Sequence, residues 1–123
     1  MKKKIMIVDD DPSILIVIRE IFESRGYKVY AVNSGKDCIE ELKSGFKGVI
    51  LMDIMMPIMD GWKTIEEIKN NGLLKDNIIS ILTAKDDPGQ NLEHYKDIIK
   101  DYITKPFDTE KLISTVNKYF MNI

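Results

Sequence analysis

Two apolar runs in this 123-residue chain end in aspartate. Ile5-Met6-Ile7-Val8 leads into Asp9-Asp10, and Val49-Ile50-Leu51-Met52 leads into Asp53. Thr83 closes a third, largely apolar run, and Lys105 follows a fourth, directly before Pro106. Strands of a parallel sheet all point one way, so these side chains would gather at one sheet edge. Carboxylates collected there repel one another unless a cation lies between them. Asp9 and Asp10 offer hard oxygen ligands beside Asp53. Mg2+ suits such a site, since it keeps several waters and takes one or two carboxylates plus phosphate oxygens. An ammonium at Lys105 can pair with Asp53 and hold a phosphoryl oxygen as a point charge. The Thr83 hydroxyl can donate to another. Metal ligands, a carboxylate nucleophile, a hydroxyl and a lysine are the parts of a phosphoryl-transfer site.

Each residue also has a plainer reading. Aspartates after strands usually cap helices or begin turns. Asp11, just before Pro12, fits that role and leaves Asp9 and Asp10 free. A lone lysine is usually a solvated charge, but this one sits between an apolar strand and a proline, in a turn where the Lys-Pro bond can be cis. His94, the only histidine, falls in a polar stretch and reads as a surface residue. Trp62 reads as helix packing near the acidic loop. Met52, Met55, Met56 and Met59 read as strand and loop packing before any soft-metal site. Gly35-Lys36 lacks the glycine-rich loop of a nucleotide-binding motif.

The elements that must position these groups alternate in type. Pro12 opens a helical stretch with Ile14, Leu15, Ile18, Ile21 and Phe22 on one side, ending before Gly26. Tyr27 to Val32 reads as a strand. Ser34 caps a helix carrying Cys38, Ile39 and Leu42, closed by Gly45. After Asp53 comes a loop holding Pro57 and Gly61. A helix with Trp62, Ile65 and Ile68 follows, stopped by Asn70-Asn71-Gly72. Ile78 to Thr83 is a buried-type strand, and the next helix has the weakest pattern, with Leu92 and Tyr95 as its few anchors. Asp101 to Thr104 is a short strand. Asp108 caps a last helix with Leu112, Ile113, Val116 and Phe120 inward. Five βα units predict an α/β fold: a doubly wound, five-stranded parallel sheet of the flavodoxin-like kind. In strand order 2-1-3-4-5 the switch point lies between the first and third strands, the two that end in aspartate.

Composition narrows the classes. The length suits one domain over residues 1–123, and 44% apolar residues can build a core. The net charge of -2 argues against a broad electrostatic attraction to nucleic acid. The single cysteine, Cys38, forbids an intramolecular disulfide and reads as a small buried apolar residue, consistent with a reducing cytoplasm. The four-residue apolar run after Met1-Lys2-Lys3-Lys4 is too short for a signal peptide or a membrane span. The lysines are expected to be a solvated strand entry that keeps the first edge soluble.

With these residues in place the chain resembles the receiver domains of two-component response regulators, in the stand-alone CheY-like form. The motifs are Ile7-Val8-Asp9-Asp10-Asp11-Pro12, Asp53-Ile54-Met55-Met56-Pro57-Ile58-Met59-Asp60-Gly61, Leu82-Thr83-Ala84 and Asp101-Tyr102-Ile103-Thr104-Lys105-Pro106-Phe107. The resemblance implies that Asp53 is the phosphoacceptor and that Asp9 and Asp10 organise Mg2+. The Met55 backbone carbonyl would complete the metal shell, and Thr83 and Lys105 would grip the phosphoryl group. Tyr102 would be the switch aromatic that turns inward when Thr83 moves. The donor would be a phosphohistidine on a sensor histidine kinase or phosphotransfer protein. Phosphorylation would switch a face of the fourth helix, fifth strand and fifth helix toward an effector protein. The chain is then a phosphoacceptor switch rather than an enzyme, acting as a monomer or a phosphorylation-dependent dimer, with no direct nucleic-acid or membrane partner. Ending at Ile123, right after the fifth helix, it is expected to carry no output domain. Ile98-Ile99 stand where the family often has Gly-Ala, so the approach to the fifth strand is bulkier. Met55, two residues after the acceptor, cannot hydrogen-bond an attacking water, which implies slow self-hydrolysis.

Two other classes compete. A Mg2+-dependent phosphatase with an aspartate nucleophile would typically carry a second aspartate two residues on, where Met55 stands. A flavin-binding domain of this fold would need a Ser, Thr and Gly-rich phosphate loop after the first strand, where Asp9-Asp10-Asp11 would repel phosphate.

Overall fold

The computed structural model describes residues 2–121. Five strands form one parallel sheet in the order β2-β1-β3-β4-β5. The strands are β1 (Lys4–Val8), β2 (Lys28–Val32), β3 (Gly48–Met52), β4 (Asn77–Thr83) and β5 (Ile99–Thr104). Between and after them run α1 (Pro12–Glu23), α2 (Gly35–Lys43), α3 (Gly61–Asn70), α4 (Asn91–His94) and α5 (Thr109–Met121). The expected fold class and strand order are both found.

Both faces of the sheet are covered, which is why the central strands β1 and β3 carry unbroken apolar runs. Alternation along β1 and β3 sends Met6, Val8, Ile50 and Met52 into a layer with Cys38 and Leu42 of α2 and Ile65 and Ile68 of α3. The odd positions Ile5, Ile7, Val49 and Leu51 meet Ile18 and Phe22 of α1 and Leu112, Ile113 and Val116 of α5. Ile65, Ile68 and Ile18 are fully buried, each contributing roughly 1.5–3 kcal/mol of transfer free energy.

Side-chain caps set four of the helix starts. Asp11 accepts from the Ser13 amide at 2.9 Å, Ser34 from Asp37 at 3.1 Å and Asp108 from Lys111 at 2.8 Å, all three as read from the sequence. The fourth cap, Asp60 to the Lys63 amide at 2.8 Å, had not been singled out. α4 has no side-chain cap and only 4 residues. Its expected weakness is thus found as a single turn.

Three expectations are corrected. β5 begins at Ile99 rather than Asp101, because Ile99 is buried and pairs with Ile79. In the last helix Tyr119 is the buried aromatic, and Phe120 only packs on the rim of that core. The basic entry does not guard a sheet edge, since β1 lies between β2 and β3. Lys2 and Lys3 are solvent-exposed, and the Lys3 ammonium lies 5.6 Å from the Tyr27 ring centroid. No helix among the described residues is long and apolar enough to cross a membrane.

Candidate functional site

The strand ends deliver Asp9, Asp10 and Asp53 to one place. A carboxylate oxygen from each lies within 4.8 Å of the others. The backbone holds the two strand ends together: the Asp53 amide donates to the Val8 carbonyl at 2.9 Å, and the Asp9 amide to Val32 at 3.2 Å. Asp9 and Asp53 are buried, at 2% and 6% exposure, whereas Asp10 faces solvent.

Each buried carboxylate is held by specific donors. Asp9 Oδ1 accepts from the Asp11 amide at 2.9 Å. Asp53 Oδ1 accepts from the Met55 amide at 3.0 Å and from the Thr83 hydroxyl at 2.7 Å. Lys105 reaches in from the end of β5, its Nζ 2.5 Å from Asp9 Oδ2 and 3.5 Å from Asp53 Oδ2. The ammonium therefore bridges both acids and lies nearer Asp9, whereas the sequence had paired it with Asp53 alone. Burial holds the Asp9 carboxyl above its ordinary value; the Lys105 ammonium and the Asp11 amide oppose that shift, and the charge on Asp53 reinforces it.

Neighbouring backbone completes the cradle. The Lys105 amide donates to the Thr83 carbonyl at 2.8 Å, and the Lys105–Pro106 bond is cis. Gly61 opens α3 against the end of β3. A Cβ there would come within 2.5 Å of the Asp53 carbonyl oxygen, so only glycine lets α3 start so close to the acceptor.

Tyr102 is half-buried, on the sheet face it shares with Ile81 and Ile99. Its hydroxyl donates to the Lys85 backbone carbonyl, in the loop that follows Thr83. Burial, with Asp86, Asp87 and Asp53 nearby, pushes its phenol up, so it stays a donor at neutral pH. Met55 does not pack as the methionine run suggested. It is 56% exposed beside the acceptor, while Met52 and Met56 are buried. His94 is exposed, as expected. Trp62 is buried and stacks on Tyr95, with ring centroids 5.8 Å apart and planes 9° apart.

The donor chemistry fits a hard divalent cation. All three side-chain ligands are carboxylates, and the exposure of Asp10 leaves one side open to the waters that such an ion keeps.

Comparison with known proteins identifies the fold and the family. The chain is 30% identical over 120 residues to the transcriptional regulatory protein CrdR of Helicobacter pylori, covering 98% of this chain and 56% of that one. It therefore spans about half the length of that relative. A CheY-like response regulator receiver domain protein from Methanospirillum hungatei superposes with a TM-score of 0.89 at 44% identity, over 97% of this chain and 94% of that one. The receiver domain of the sensor histidine kinase PA1611 of Pseudomonas aeruginosa, described with magnesium in its active site cleft, gives 0.81 at 27% identity over 96% and 97%. Residues 5–117 match the family model of the response regulator receiver domain, and the chain belongs to that family.

Proposed function

We propose that this receiver takes a phosphoryl group from a sensor-kinase phosphohistidine onto Asp53 and is itself the switch that the transfer throws. The observation that carries this reading is the surrounding of Asp53: a buried carboxylate with Thr83 and the Met55 amide on Oδ1 and the Lys105 ammonium facing Oδ2. Two donors already engage Oδ1, so Oδ2 is assigned as the nucleophile. As the Oδ2–P bond forms, the N–P bond of the phosphohistidine breaks and its electron pair returns to the imidazole.

Asp9, Asp10, Asp53 and the Met55 carbonyl would hold Mg2+, which supplies charge neutralisation at the reacting oxygens when bound. The magnesium described in the active site cleft of the Pseudomonas relative supports an ion of this kind here. Lys105 neutralises Asp9 and Asp53 together and orients the incoming group, a task for a preorganised charge in a buried site. After transfer, the Thr83 hydroxyl turns from Oδ1 to a phosphoryl oxygen. Tyr102, tied to the loop after Thr83, reads that movement out to α4, β5 and α5, biasing a two-state surface toward an effector protein. The substrate is the chain's own carboxylate, so we assign a signalling switch of the cytoplasm rather than an enzyme acting on a separate substrate.

The test is incubation with acetyl phosphate and Mg2+. A hydroxylamine-labile phosphoryl mass gain is expected in the wild type and absent in Asp53→Ala. An Asp53→Ala protein that gains the same mass, or a wild type that gains none, would sink this assignment.

A further inference from the structure

β5 reaches the site through an irregularity. Ile79 pairs with Ile99, but Ile81 pairs with Tyr102, so Ser80 of β4 faces both Lys100 and Asp101. This is a β-bulge, one extra residue on the edge strand. In an unbulged strand, residues 99 and 101 would share a face. Here Ile99 and Tyr102 share the face packed on α3, and Asp101 turns toward α5. The bulge therefore decides which way Tyr102 points. It also precedes the pairing of Thr83 with Thr104 and the bond from the Lys105 amide to the Thr83 carbonyl.

A hydroxyl relay is built on that bulge. Ser80 is fully buried, and its Oγ lies 2.7 Å from the Tyr119 hydroxyl. Tyr119, buried on α5, donates to Asp101 Oδ2 at 2.5 Å. The phenol has one proton, and Asp101 takes it, so Ser80 must be the donor to Tyr119. Three elements are thus joined through one side chain. Nothing in the phosphoryl chemistry above uses these groups, and a buried serine in an apolar layer is costly without its partner.

We propose that Tyr119 is a positioning residue: the Ser80–Tyr119–Asp101 relay clamps the β5 bulge, fixing the phase of Tyr102 and the alignment of Lys105 with Thr83. This rests on the roles given to those three residues above. It makes the seating of α5 a determinant of site geometry, although Tyr119 touches no reacting atom.

Asp101 is exposed, so Asp101→Ala removes the acceptor without opening the core, while Asp101→Asn keeps an acceptor oxygen. Amide hydrogen exchange, read by NMR with no phosphoryl donor present, is the first measurement. In Asp101→Ala the Lys105 amide and the β5 amides should exchange about tenfold faster, the effect of losing one part-buried hydrogen bond to a charged acceptor on local opening. Exchange in β1 and β3 should not change, and Asp101→Asn should behave as wild type. Ser80→Ala combined with Tyr119→Phe removes the buried hydroxyls together and should give the same local pattern. Phosphoryl uptake from acetyl phosphate should slow several-fold in Asp101→Ala. Wild-type exchange at Lys105 in Asp101→Ala, or a uniform increase across the whole sheet, would overturn the clamp. If the wild type takes up no phosphoryl group, the functional reading falls, and exchange still judges the clamp.

Discussion

The two sides of the site are built differently. β1, β3 and the helices after them bring Asp9, Asp10 and Asp53 together on fully buried strands, behind helices of 12 and 10 residues capped by Asp11 and Asp60. β4 and β5 bring Thr83, Tyr102 and Lys105, but the helix between them is one uncapped turn, and β5 is a bulged edge strand. A carboxylate cluster must be held still against its own repulsion. A switch must have somewhere to go. β4 is itself well buried, so it is the low burial of α4 and β5, and the missing cap on α4, that mark those two elements as the part that opens at small free-energy cost.

The comparison can be broken from the rigid side first. Burial in the α2 layer pushes the Cys38 thiol from 9.0 up to about 12. A thiol with a raised folded pKa supports the fold fully below 9 and loses that support as pH climbs toward 12. Stability should therefore fall by about 1.4 kcal/mol per pH unit from this group alone above pH 9. Cys38→Ala should flatten that part of a denaturant-midpoint profile against pH. Next in size, Ile65→Ala should cost about 3 kcal/mol, whereas Leu92→Ala on α4, half-buried, should cost under about 1 kcal/mol. Equal losses in urea melts would erase the contrast.

Smaller effects sharpen it. Met55→Asn places an amide beside the acceptor that can orient water, and dephosphorylation should speed up about tenfold; an unchanged phosphoryl lifetime would count against the exposed methionine as a shield. Asp60→Ala should destabilise by about 1 kcal/mol through the lost cap on α3.

Much of the rigid side was legible in the chain. A doubly buried strand writes itself as an unbroken apolar run, and helix starts announce themselves through residues such as Ser34 and Asp11. Asp60 escaped notice because it lies inside a loop motif, though an aspartate just before Gly61-Trp62 and an apolar spacing of three was a usable signal. Tyr119 was missed for a different reason. Leu112, Val116 and Tyr119 lie on one helical face, but its hydroxyl made a neighbouring phenylalanine look like the better core residue. The partner that makes a buried phenol acceptable, Ser80, is 39 residues away.

By itself, the sequence determined the βα alternation, the strand-end acids, the threonine and lysine at the same edge, and the family, because periodicity and local motifs need only near neighbours along the chain. Tertiary structure alone decided that Lys105 lies closer to Asp9 than to Asp53, that two donors meet on Asp53 Oδ1, and that a bulge opposite Ser80 turns Tyr102 toward α3. Those outcomes depend on distances between strands and on ladder register, and a one-residue slip in register reverses which face a side chain takes.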